Sequence, residues 1–289
     1  MQNRNPLSSE SSALETHLTC PVCFDPLVIG ASVASCAKSH TFDRAREGYL
    51  NLLLANQKGS SDPGDDRESV TARREFLATG HYDFLAAGLS KSVVRQEKAP
   101  KVVIDSGCGE GFYLNHIAHH IPASDTYGLD ISRFAVRLAS RSYGNCTWAV
   151  ANIARRLPIS SGCCDVLLSV MAPRNASEFE RILRPDGLLL VIIPGDGHLR
   201  ELTDKLMADP SDQSEKADAL IQSLTPTFTL QNTEPVRARF TADQQTIQRL
   251  VTMTPLRWKS QKRALSGLAS LESLDITASF TLMTFSLAT

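Results

Sequence analysis

Apolar residues in this chain fall into short runs separated by amphipathic stretches. KVVIDSGCG (101–109), TYGLD (126–130), TWAVAN (147–152), CCDVLLSVM (163–171) and GLLLVIIPG (187–195) each read as a strand, since a short apolar run bounded by turn signals suits a strand covered on both faces. Between them, residues 112–120, SRFAVRLASRSY (132–143) and SEFERILR (177–184, closed by Pro185) read as helices. Strands and helices alternating at this spacing predict an open parallel α/β sheet. Residues 71–96 add one or two helices interrupted near Gly80. After Gly195, residues 198–207, 214–224 and 243–251 read as helices, and residues 228–240 and 274–287 as strands closing one sheet edge.

The first seventy residues look different. Residues 1–16 are polar and read as a flexible terminus, and 17–56 show little regular hydrophobic period. QKGSSDPGDDRES opens a polar stretch, 57–70, that reads as a linker or exposed loop, leaving 71–289 as the main domain.

Three of the seven cysteines lie in that irregular head, spaced Cys20-x2-Cys23-x12-Cys36-x3-His40. Three thiolates and an imidazole form the donor set of a closed, tetrahedral structural zinc site. The segment is too short and too poor in large apolar residues to fold by burial alone, so bound Zn2+ would supply its folding free energy. With no open ligand position, this metal is a brace and not a catalyst. Cys108, Cys146, Cys163 and Cys164 lie in the main domain, and the odd total of seven does not suit a disulfide framework.

DSGCGEG (105–111) follows the first sheet strand and precedes a helix, so Gly107 and Gly109 permit a tight turn at the sheet's carboxyl edge. Asp130 ends the next strand, where a carboxylate accepts both hydroxyls of a ribose. A dinucleotide enzyme uses similar logic. However, Asp105 and Glu110 would oppose a pyrophosphate while suiting the ammonium and sulfonium charges of S-adenosyl-L-methionine. With the polar end of TWAVAN and the helix-turn-strand ILRPDGLLLVIIP, this pattern resembles the class I methyltransferase superfamily: a Rossmann-like α/β sheet, here behind a small N-terminal zinc-binding domain.

Charge narrows the partners only slightly. A formal net charge of −1 argues against a uniformly basic nucleic-acid surface but not against a local one. Basic clusters at Arg73 and Arg74, Arg155 and Arg156, and 257–263 each read, taken alone, as solvated faces. No apolar run reaches the length of a membrane helix and the N-terminus lacks a secretory signal, so a cytoplasmic address and no membrane contact are expected.

Read together, C-P-x-C, C-x3-H-x-F-D-x-A-x-x-G-Y-x-x-L-L (36–53), GSSDPGD (59–65), A-R-R-x-F-L-x-x-G-H-Y (72–82), the glycine turn, G-L-D-I-S and A-P-R-N resemble the bacterial 23S rRNA (guanine-N1)-methyltransferases. The match is strong over about 20–205, and MTPLRW (253–258) extends it. The resemblance implies a zinc-bound RNA-recognition module, an S-adenosylmethionine domain, a 23S rRNA hairpin as partner and a homodimer around an RNA cleft. It implies methylation of guanine 748 or 745; MAPRN leans toward the 748 branch, associated with macrolide resistance. It assigns Cys20, Cys23, Cys36 and His40 to zinc. Tyr82, Asp105, Gly107, Gly109, Glu110, Gly111, Asp130, Asn152 and His198 are assigned to the cofactor, with Asn152 toward adenine and His198 toward the cofactor carboxylate. Guanine N1 carries a proton that must leave, so Arg174, His198 and Pro173 are the candidate catalytic residues: Arg174 to stabilise O6, His198 as a possible base and Pro173, with Tyr113, as a wall for the base. The chain departs from the commoner family pattern in DSGCG for DIGCG and in the AN that ends the third strand. A small-molecule methyltransferase of the same architecture and a non-catalytic RNA-binding assembly protein stay open as alternatives.

Overall fold

The computed structural model describes residues 16–60, 63–96, 98–206, 213–259 and 271–288. The terminus read as flexible falls outside these residues except for Thr16, as does the basic run from Ser260 onward. In chain order the strands are β1 (Leu27–Ile29), β2 (Val33–Cys36), β3 (Thr41–Asp43), β4 (Leu50–Asn51), β5 (Val102–Ser106), β6 (Asp125–Asp130), β7 (Thr147–Val150), β8 (Cys164–Val170), β9 (Leu183–Pro194), β10 (Phe228–Asp243) and β11 (Ser273–Leu287). The helices are α1 (Arg67–Leu77), α2 (Asp83–Val94), α3 (Phe112–Ala118), α4 (Arg133–Ser142), α5 (Ala176–Ile182), α6 (Arg200–Lys205), α7 (Gln213–Leu224), α8 (Gln244–Met253) and α9 (Leu256–Lys259).

Eight strands form one sheet in the order β10-β11-β9-β8-β5-β6-β7-β4. The pairs from β9 to β4 are parallel, and β11 and β10 add antiparallel at the edge. β5 is buried at all five positions, as its unbroken apolar run requires. One apolar cluster lies on the face covered by α1, α2, α3, α4 and α8. The other lies on the face covered by α5, α7 and the cysteine head. Helix starts follow side-chain caps: Asp66 accepts from the Ser69 N–H, Ser132 from Ala135 and Asp243 from Thr246.

β1, β2 and β3 form a separate antiparallel sheet in the head. Strands of three or four residues are too short to show a period of two in sequence. The head joins the large sheet closely: Leu18 bridges Ile159, the Thr19 N–H donates to the Pro158 carbonyl at 2.9 Å, and Leu18, Cys20 and Ala34 are fully buried.

Three boundaries differ from the sequence reading. β4, inside the stretch assigned to the head, is an edge strand of the large sheet. α1 begins at Arg67, inside the stretch read as a linker, because Asp66 caps it. β9 starts at Leu183, with a register shift opposite Cys164 and Val166; Pro185, which has no N–H to donate, falls in that irregular stretch. No helix among the described residues is long and apolar enough to cross a membrane.

Candidate cofactor cleft and metal centre

The head gathers its four donors as the spacing requires. Cys20 Sγ lies 3.5 Å and Cys36 Sγ 3.4 Å from His40 Nδ1, and Cys23 Sγ lies 3.6 Å from Cys36 Sγ. All four ligand atoms fall within 4.8 Å of one another. Metal–ligand bonds of about 2.0–2.3 Å give tetrahedral edges of roughly 3.3–3.8 Å, so the donor set fits Zn2+ in both chemistry and size. Two tight turns build the site. In one the Phe24 N–H donates to the Cys20 carbonyl; in the other the Ser39 N–H donates to that of Cys36, and both Phe24 and Ser39 are left-handed at φ 62°.

The second site lies where β5 turns into α3. Gly107 has φ 92°, and a Cβ there would lie 2.3 Å from that of Ala172; Gly111 has φ 87°, and a Cβ there would lie 2.5 Å from Trp148 Cη2. Only glycine fits either position. Asp130, at the end of β6, accepts from the Gly109 N–H at 2.9 Å through Oδ2 and from the Ser132 N–H at 2.8 Å through Oδ1. Behind the turn Asp105 is 1% exposed and Glu110 5%, and Asp105 Oδ1 and Glu110 Oε2 are buried without a hydrogen-bond partner. Burial, then the charges of Asp130 and Glu110, pushes the Asp105 carboxyl up to about 8. Burial also raises Glu110, with Arg73 opposing it. Buried acceptors without donors of their own are the complement of a cationic ligand, which fits the sulfonium and ammonium of S-adenosylmethionine.

Tyr82 is 2% exposed, with its hydroxyl unpartnered and its ring edge-on to Phe76 and Phe280 at 4.7 and 5.1 Å. His198 packs on the other side of this group, 4.5 Å from Phe280. Its Nδ1 accepts from the Ser279 N–H at 3.3 Å, and burial lowers its pKa to about 4. The ring is therefore neutral near pH 7 with its proton on Nε2, so it faces a ligand as a donor and not as a base. Burial pushes the Tyr113 phenol well above the usual range. At 8% exposure it is core, not a wall for a base.

Asn152 is engaged otherwise than expected. Its Nδ2 donates to the Gln57 carbonyl at 2.9 Å and its Oδ1 accepts from the Ala154 N–H at 3.0 Å, so its amide pins the Ala55–Gln57 turn instead of waiting for adenine. Pro173 and Arg174 lie on the exposed loop after β8, with Arg174 Nη1 donating to the Ala172 carbonyl at 3.1 Å. Ala172 packs on Gly107, which sets this loop beside the glycine turn.

Sequence reasoning missed two features. Arg73 on α1 lies over Gly109 and pairs with Asp65 at 2.5 Å, while the Asp65 carbonyl accepts from Ser132 Oγ. The acidic Pro-Gly stretch thus lies against the cleft instead of hanging free; both residues belong to recognised blocks, but nothing in the sequence placed them across the turn. Met171, 44% exposed at φ 52°, is the other. An apolar side chain held left-handed at the end of β8 costs steric energy and marks this rim. Two open surface cavities, of about 330 and 400 Å³, lie elsewhere, one against α6, β10 and β11 and the other between α1 and α8.

Comparison with known proteins adds to this geometry. A family model described as "RlmA, N-terminal" matches residues 18–61 and one described as "Methyltransferase domain" matches 103–187. The chain is 35% identical to a putative 23S rRNA (guanine-N(1)-)-methyltransferase of Micromonospora griseorubida, covering 90% of this chain and 93% of that one. It is also 35% identical to the 23S rRNA (guanine(748)-N(1))-methyltransferase of Streptomyces fradiae, covering 92% and 95%. To a third relative, the putative 23S rRNA (guanine-N(1)-)-methyltransferase YxjB of Bacillus subtilis, identity is 32% over 89% and 93%.

Proposed function

The chain belongs to the 23S rRNA (guanine-N1)-methyltransferase family, and from that premise we propose that it methylates N1 of guanine 748 in a 23S rRNA hairpin. One observation carries this reading: the same chain holds a closed four-donor cluster of zinc-ligand chemistry and a glycine turn backed by buried carboxylate oxygens without partners. S-Adenosylmethionine supplies an electrophilic methyl group on a sulfonium. The residues of this chain position and shield it. Asp130, already fixed by two backbone N–H groups, orients the ribose; Asp105 and Glu110 offer acceptors to the cationic end; His198 donates Nε2–H to the carboxylate.

On the rRNA side, N1 of guanine lies on the Watson–Crick edge and must be reached in a loop or by extrusion. Met171 and Pro173 form the apolar rim against which the base rests. Arg174 keeps guanidinium N–H groups beyond its bond to Ala172, and these donate to O6 as negative charge grows there and the N1 proton leaves to water. The same reading takes the segment from residue 17 through β3 as the RNA-recognition head, and β4 with the chain from α1 onward as the methyltransferase domain. It also holds that two copies pair around the RNA, that the protein works in the cytoplasm and that the modification protects the ribosome against macrolides.

The test is primer extension on unmodified 23S rRNA after incubation with the protein and S-adenosylmethionine. An arrest at guanine 748 is expected. An arrest at 745 would overturn the choice of guanine, and no N1-methylguanine anywhere would overturn the reaction.

A further inference from the structure

The first metal turn carries a residue that the turn does not need. Phe24 closes it at φ 62°, a conformation glycine adopts without the steric cost of a Cβ. Its ring takes no part in the core and is 39% exposed. The guanidinium of Arg156, from the loop after β7, lies over that ring at 3.8 Å from its centroid. Arg155 beside it is exposed, and among the described residues no carboxylate pairs with Arg155, Arg156 or Arg174. The nearby Asp25 is neutralised by Lys38 at 3.2 Å.

This surface runs on to the reaction centre. Asn175 Nδ2 donates to the carbonyls of Ala154 and Arg155 at 3.3 and 3.4 Å, tying the arginine loop to the loop that carries Met171, Pro173 and Arg174. Ala172 of that second loop packs on Gly107. A path of aromatic, guanidinium and apolar groups thus leads from the metal cluster to the glycine turn.

We propose that Phe24 and Arg156, with Arg155, form a stacking platform for an unpaired RNA base, holding the rRNA in register while its target guanine reaches the cleft. The inference rests on the rRNA reading given above. Every base has a π-face that stacks on aromatic rings and guanidinium planes, and unpaired arginines beside it draw phosphates. A purely mechanical bolt between head and sheet does not explain the pair. Leu18, fully buried, and the Thr19 to Pro158 hydrogen bond already fasten the head, whereas the Phe24 and Arg156 side chains lie open to solvent.

The experiment compares the full-length, zinc-loaded parent with Phe24→Gly, Phe24→Leu, Phe24→Trp and Arg156→Ala, measuring direct binding to unmodified 23S rRNA and methyl-transfer kinetics. Phe24→Gly is expected to keep its zinc, its S-adenosylmethionine affinity and its melting temperature. Its rRNA affinity falls roughly ten-fold, and KM rises by the same factor while the rate at saturating RNA holds. Phe24→Leu should lose as much and Phe24→Trp should match the parent. Arg156→Ala should weaken binding further on the Phe24→Gly background and should flatten the salt dependence of binding by about one phosphate contact. Unchanged rRNA affinity in Phe24→Gly, or full affinity in Phe24→Leu, would overturn the platform, as would a loss of affinity only for an acidic protein partner. A parent that binds rRNA through Phe24 yet transfers no methyl group would overturn the reaction and leave the platform standing.

Discussion

The metal head and the glycine turn both collect polar atoms from separate parts of the chain, and they satisfy them in opposite ways. In the head, three thiols and an imidazole gather within 4.8 Å of one another, with three of the pairs at 3.4–3.6 Å, in the size of one ion. At the turn, Asp105 and Glu110 keep buried oxygens that meet nothing in the protein. The head becomes more stable when its ligand binds because the ligand is its fold. The turn is set by the sheet around it, and its buried carboxylate oxygens suit a cationic ligand. One region uses a ligand to build structure; the other uses structure to wait for a ligand.

Removing zinc should break this comparison most visibly. Structural zinc contributes on the order of 10 kcal/mol to folding, so a chelator should expose the amides of β1, β2 and β3 to rapid hydrogen exchange. Those of β5, inside the sheet, should stay protected. A head that keeps its protection without metal would show that burial against the sheet suffices.

The next effect separates packing from conformation within the turn. Gly107→Ala sets a Cβ 2.3 Å from Ala172 at φ 92° and should destabilise the fold by several kcal/mol, on the scale of overpacking with backbone strain. Gly109→Ala meets only Arg73 Nη1, at 3.8 Å, and should cost about 1–2 kcal/mol for its left-handed backbone. Urea unfolding of the two variants checks the ranking, and equal losses would refute the packing assigned to Gly107.

A smaller effect comes from the waiting carboxylates. The Asp105 carboxyl is raised from 3.8 to about 8, so the stability it contributes is full below pH 3.8 and is lost as pH rises through about 8. Near neutrality the free protein holds that proton, and a cationic ligand favours the ionised form. S-Adenosylmethionine affinity should therefore rise from pH 6 to 8, by at most about ten-fold per unit, with proton release on binding. Calorimetry in buffers of different ionisation enthalpy reads that proton directly. Affinity that falls over this range would remove Asp105 from the cation site.

The comparison also explains what could be read in advance. The zinc ligands were legible because covalent spacing within twenty-one residues nearly fixes their meeting. Strands β5 to β9 were legible because burial on both faces leaves an unbroken apolar run, and the glycine turn because it follows one of them. What escaped depends on contacts far apart in sequence. Arg73 and Asp65 reach the turn only through the packing of α1. Asn152 was read toward adenine, but its amide is held by Gln57, nearly a hundred residues earlier, a contact no local pattern encodes. β4 contributes two residues to the sheet, too few for any periodicity to show.

The most direct test of the division between the two regions is a pair of titrations on Cys23→Ser, one with S-adenosylmethionine and one with unmodified 23S rRNA. The account expects zinc to be lost, rRNA affinity to fall by roughly thirty-fold or more as the recognition surface collapses, and S-adenosylmethionine affinity to stay within about three-fold of the parent. Unchanged rRNA affinity, or equal loss of both ligands, would contradict it.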